Sequence, residues 1–63
     1  MKNLVKGNIV LTTKDIKDEN DKIIINNGEQ VTVVNAATCL VETEKKKRYI
    51  LYRDEWEELL DEV

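Results

Sequence analysis

The sequence predicts a small, mainly β fold of five short antiparallel strands followed by a short C-terminal α-helix. Three observations carry that expectation. Clusters of β-branched residues recur between polar or glycine-containing stretches. An Asn-Gly pair, Asn27-Gly28, sits between two of these clusters. In the last ten residues the apolar spacing changes from the period of a strand to that of a helix.

Taken in order, Gly7 precedes a first strand over residues 8–13, where Ile9, Val10, Leu11, Thr12 and Thr13 suit a pleated, half-buried surface. Residues 14–22 are charged almost throughout and read as a solvated loop, with Ile16 its one apolar anchor. Ile23-Ile24-Ile25 and residues 29–34 then frame Asn26-Asn27-Gly28 as a tight hairpin, because primed turns need the positive φ that Gly adopts and Asn tolerates. A further strand spans residues 38–43, entered through Asn35-Ala36-Ala37. Glu44 to Lys46 turn the chain into a returning strand over 48–52. Trp56, Leu59, Leu60 and Val63 fall at i, i+3, i+4 and i+7, which predicts a helix over 54–61 with Asp54 and Glu57 at capping-box spacing. A helix so short is marginal alone. Its stability must come from burying that face, with Trp56 capping an open end of the sheet.

Composition bounds what such a fold can do. Sixty-three residues predict one domain over 1–63 with a thin core, since a chain of this size buries only ~60% of the surface it exposes when unfolded. Cys39 is the sole cysteine and histidine is absent, so neither a disulfide nor an ordinary structural zinc site reinforces the core. Cys39 also lacks the base that would make it a nucleophile, and reads as a core residue in a strand. No apolar run approaches ~18 residues and no signal-peptide pattern opens the chain, so a cytoplasmic protein without a membrane segment is expected. Lys, Asn and Ile supply 20 of the 63 residues, which suggests an AT-rich coding sequence.

The charge pattern is more informative than the net charge of −3. Residues 1–53 hold all ten basic groups against seven acidic ones, a balance of +3, whereas residues 54–63 hold six acidic groups and no basic one. The molecule is therefore dipolar. Two interaction surfaces follow. Asp54, Glu55, Glu57, Glu58, Asp61 and Glu62 would form a negative helical stripe able to contact a partner. Lys45, Lys46, Lys47 and Arg48, with Tyr49 beside them and Tyr52 nearby, could neutralise phosphates and stack bases, or could simply protect a strand edge. Asp18, Asn20 and Glu29 match three positions of a calcium loop, but Lys22 and Ile23 occupy places that need an oxygen ligand and a glycine. No catalytic residue, metal ligand or cofactor site is expected.

Lys6-Gly7-Asn8-Ile9-Val10-Leu11, the polar loop through Lys22, Asn27-Gly28-Glu29-Gln30-Val31-Thr32-Val33, and Arg48-Tyr49-Ile50-Leu51 leading into Asp54-Glu55-Trp56 together give a pattern. It resembles the small SH3-like β-barrel proteins of Gram-positive bacteria and their phages and mobile elements. The resemblance implies a five-stranded antiparallel barrel with a short C-terminal helix. Proline is absent, unlike the ligand groove of eukaryotic peptide-binding SH3 domains. The function expected is a non-enzymatic binding module, phage- or mobile-element-associated, that modulates a host protein. Its acidic helix would occupy a basic, nucleic-acid-binding groove on that partner. The alternative is a small nucleic-acid-binding barrel that uses Lys45 to Arg48 and Tyr49. Self-association through strand edges is a further open reading.

Overall fold

The structure, a computed structural model, describes residues 3–61, with Asp61 described by its backbone only. Among the described residues, seven short strands and one helix follow in order: β1 (Ile9–Leu11), β2 (Ile16–Lys17), β3 (Ile23–Ile25), β4 (Gln30–Asn35), β5 (Leu40–Thr43), β6 (Arg48–Ile50), α1 (Arg53–Glu57) and β7 (Leu60–Asp61). Five of the strands form one antiparallel sheet in the order β6-β5-β4-β1-β7, and β2 pairs with β3 as a separate hairpin. The two edges of the larger sheet, β6 and β7, do not pair with each other. A mainly β, antiparallel fold with a short helix is therefore correct at that level, while the five expected strands are seven, in two sheets without hydrogen-bonded closure.

Alternation along the strands builds the core. Val31 and Val33 of β4 point inward while Thr32 points out, and the register sets Val10 opposite Val31 and Val41 opposite Val33. Ile16 and Ile25 face one another across the hairpin and bury against this sheet, joined by Leu4, Cys39, Leu51, Trp56 and Leu59. Ile16 is thus the anchor expected of it, and Trp56, 2% exposed, is buried as expected.

Asn26 to Glu29 do form a turn, but it does not join a hairpin. The Glu29 N–H donates to Asn26 O at 3.1 Å and Gly28 has φ +81°, whereas Asn27 is not among the residues with positive φ. That is the pattern of a type II turn, which splays the flanking segments where a primed turn would keep them paired. β3 accordingly pairs with β2, and β4 with β1 and β5. The turn is braced from elsewhere. The Thr12 hydroxyl, 2% exposed, donates to Asn26 O at 2.7 Å and accepts the Glu29 N–H at 3.1 Å. The Asp15 carboxylate accepts the Asn27 N–H at 2.8 Å. Thr12→Val keeps the shape and deletes the hydroxyl, so Asn26 O and the Glu29 N–H each lose one of two partners and keep only each other. It is expected to lose about 1–3 kcal/mol in a urea melt, and a melt unchanged from wild type would show the hydroxyl to be dispensable.

Two further boundaries differ from expectation. Cys39 is buried but stands in the turn before β5, with φ +61° and its amide facing Ala36 O at 3.4 Å, so the strand begins at Leu40 rather than Thr38. The helix starts at Arg53 and ends at Glu57 instead of covering 54–61. Glu55, not Glu57, supplies the reciprocal carboxylate, accepting the Tyr52 N–H at 2.9 Å. Beyond Glu57 the bonds Glu58 N to Glu55 O and Leu59 N to Trp56 O close tighter, three-residue turns, and the Thr13 hydroxyl donates to Glu58 O at 2.9 Å. Leu59 then sinks into the core, and Leu60 and Asp61 pair with Leu11 and Val10 of β1.

Candidate interaction groove

The β2–β3 hairpin and β6 face each other across a groove, and local chemistry explains both walls. The highly charged tip of the hairpin is compact because one Asp18 carboxylate oxygen accepts the N–H groups of Asn20 (2.8 Å) and Lys22 (3.0 Å). Asp21 takes φ +65°, and its carboxylate pairs with Lys17 at 3.5 Å. The stretch expected to be a loop is thus a folded hairpin. On the opposite wall, Tyr49 is half-buried while Ile50 and Tyr52 are 70% and 68% exposed.

Two depressions lie between these walls. One of about 480 Å³ is lined by Asp18, Lys22, Ile23, Ile24, Asn26, Glu29, Thr43, Lys45, Lys47 and Tyr49. The other, about 240 Å³, is lined by Ile16, Lys17, Asp18, Glu19, Ile24, Tyr49, Ile50, Tyr52 and Glu55. Because Asp18, Ile24 and Tyr49 line both, they form one groove whose middle sets Ile24 and Tyr49 beside the Asp18 carboxylate. Its ends differ in sign. Lys22, Lys45 and Lys47 outnumber Glu29 at one end and make it net cationic, and Glu19 and Glu55 outnumber Lys17 at the other and make it net anionic.

Of the basic residues expected to act together, Lys45 and Lys47 share the larger depression with Tyr49, whereas Lys46 and Arg48 do not line it. The Thr43 hydroxyl accepts the N–H groups of Lys45 and Lys47, both at 3.3 Å, and Lys46 sits at φ +68°. Arg48 pairs with Glu42 across β5 and β6 at 3.7 Å. The six acidic residues are not the single helical stripe expected of them. Asp54 and Glu55 lie in the first turn of α1, and Glu57 at its end is partly buried. Glu58 follows the helix and pairs with Lys14 at 3.2 Å, Asp61 belongs to β7, and Glu62 lies outside the described residues. The five-residue helix cannot carry all of them on one face.

The Lys14–Glu58 contact ties the chain leaving β1 to the end of α1. The hydrogen bond that Lys14 donates to the Glu58 carboxylate raises the pKa of its ammonium above the ordinary value of 10.5, and the charges of Glu58, Asp54 and Glu55 add to this. Its contribution to stability is therefore present below pH 10.5 and lost as the pH rises through the raised folded value. Both partners are substantially exposed, so solvent weakens the pair.

Ile24 and Ile50 are groove residues that sequence reasoning did not single out, whereas Tyr52 was expected near the basic run and instead lines the depression that Lys45 and Lys47 do not. Ile50 and Tyr52 fall two apart in an expected strand, which would have placed them on one face, but nothing local said that face was open. Among the described residues, no group of three or more Cys, Asp or Glu side chains is placed to hold a metal ion, and no helix is long and apolar enough to cross a membrane. No protein-family model matches the chain, and neither a curated protein nor a solved structure is significantly similar to it.

Proposed function

We propose that the chain is a non-enzymatic, SH3-like protein-binding module whose contact surface is the groove between the β2–β3 hairpin and the β6–α1 segment. The strand order β6-β5-β4-β1-β7, with a hairpin inserted between β1 and β4 and a helical turn before β7, supports the SH3-like part of this reading. One observation carries the binding part. Ile50 and Tyr52, among the most exposed large apolar side chains described, stand together on a groove wall beside Tyr49 instead of being scattered. Apolar anchors next to a concave surface provide affinity, and carboxylates around them provide steering. Glu19 and Glu55 are exposed or partly exposed at that end, so the partner supplies basic and apolar side chains. The acidic segment thus contributes its first turn to the surface rather than acting as a whole stripe.

The test is affinity capture with the wild type and an Ile50→Ser/Tyr52→Ala double variant. Both side chains are exposed, so melting should shift by no more than ~0.5 kcal/mol per substitution, while recovery of specific partners falls at least about tenfold. Equal recovery by a folded double variant removes the groove from consideration. Convergence of Lys22, Lys45, Lys47 and Tyr49 favours a second reading, nucleic-acid binding at the cationic end. That reading requires measurable affinity for single-stranded DNA or RNA at low salt, abolished when Lys45 and Lys47 become Glu.

A further inference from the structure

We infer that the partner binds as a lone extended segment, adding antiparallel to β6 as a new strand, with basic residues at its N-terminal end and acidic residues at its C-terminal end. This rests on the groove reading above and specifies how the groove is filled.

The edge of β6 is available for pairing. The Thr43 N–H donates to Lys47 O at 2.8 Å, and the Leu51 N–H to Cys39 O at 2.9 Å. With Val41 opposite Tyr49, this parity turns the backbone groups of Lys47, Tyr49 and Leu51 toward β5. Those of Arg48 and Ile50 turn away from β5, on the side where, among the described residues, no other strand of the sheet follows. An unpaired edge beside a groove is a template for strand addition, with main-chain bonds giving affinity and side-chain contacts giving selectivity.

Groove shape selects a lone strand over a second copy of the chain. Had a second β6 paired here, its own β5 would lie one strand spacing further out, about 4.8 Å. Tyr49 and Ile50, whose side chains leave opposite faces of β6, both line the groove, so it opens at the edge of the strand with the β2–β3 hairpin as its other wall. A single extended segment carries no sheet behind it and fits between the two walls. Charge sets its direction. β6 runs from the cationic end at Lys45 and Lys47 toward the anionic end at Glu55. An antiparallel strand enters at Glu19 and Glu55, and leaves at Lys22, Lys45 and Lys47. Its middle residues lie over Ile24 and Tyr49.

The probe is the synthetic peptide acetyl-Lys-Arg-Val-Thr-Val-Thr-Val-Glu-Asp-amide, titrated into isotope-labelled full-length protein. A control peptide of the same composition has its charged ends exchanged. On binding, exchange of the Arg48 and Ile50 amides should slow at least about tenfold while that of Tyr49, already paired, changes little. The control peptide should bind at least about tenfold more weakly. Ile50→Pro removes an outward N–H without touching the bonds to β5 and should weaken the probe about tenfold. Should that variant not fold, exchange at Arg48 and Ile50 in the wild type decides alone.

Probe binding with unchanged exchange at Arg48 and Ile50, or tighter binding of the control, overturns strand addition in this direction and leaves the groove reading standing. Absence of probe binding at millimolar concentration does the same, provided the Ile50→Ser/Tyr52→Ala variant still loses its captured partner. Concentration-dependent doubling of the mass of the free chain, abolished by Ile50→Pro, would assign the edge to a second copy and overturn the lone-strand occupant.

Discussion

Replacing Trp56 by alanine is expected to leave much of the population unfolded in water. Trp56 is 2% exposed and is the one buried residue of α1. Truncating a buried aromatic of this size costs about 3–5 kcal/mol, and a domain of this length holds only about 3–9 kcal/mol in total. The loss should not stay local. A five-residue helix has no independent stability, so without the indole, α1 loses what holds it to the core. Leu59 and the β7 pairing to Val10 and Leu11 follow directly from α1 in the chain. The edge of the sheet beyond β1 should loosen with it. Urea melts followed by far-UV circular dichroism read the effect, with Trp56→Phe expected to recover part of it. A Trp56→Ala melt within ~1 kcal/mol of wild type would mean that the indole contributes little packing energy.

Local chemistry made some of this structure legible in the sequence and hid the rest. The β-branched run Val31 to Val34 marked β4, because such side chains suit a pleated, half-buried surface whatever the strand's partners are. Asn27-Gly28 marked a turn, and a turn is there, but a dipeptide does not say whether its flanks pair. The answer depended on Thr12 and Asp15, which lie more than ten residues away and hold the turn from outside. At Leu59-Leu60 the helical spacing rested on a few residues, too few for the period to decide between helix and strand. Pairing with Leu11 then placed Leu60 in β7, where it is 55% exposed. The groove was hardest to see. Tyr49 and Tyr52 stood out for aromatic rings near a basic run, but Ile24 and Ile50 acquire meaning only when the hairpin folds alongside β6. That juxtaposition is tertiary, and the segment that creates it reads locally as a charged loop.

The hairpin's position is itself testable, because a single side chain carries much of it. Ile25 is fully buried, whereas Ile23, two residues earlier in the same strand, is 44% exposed. β2 contributes only Ile16 and Lys17 to the pairing, and its register shifts between them, so backbone bonds alone hold the hairpin weakly. Ile16 and Ile25 dock it on the core through apolar burial. Ile25→Ala should therefore cost about 2–5 kcal/mol, as for other fully buried isoleucines. Ile23→Ala, made at a site with much less area to lose, should cost well under half of that. Under conditions where the Ile25→Ala protein is still folded, exchange of the Asp18 amide, bonded to Lys22 O at 2.9 Å, should accelerate more than that of the Val33 amide in β4. Groove binding should weaken in parallel, since Ile24 and Lys22 would lose their fixed place opposite Tyr49. Equal costs for the Ile23 and Ile25 variants would mean that the hairpin is held by its polar tip instead, and the Asp18 carboxylate would become the residue on which the groove depends.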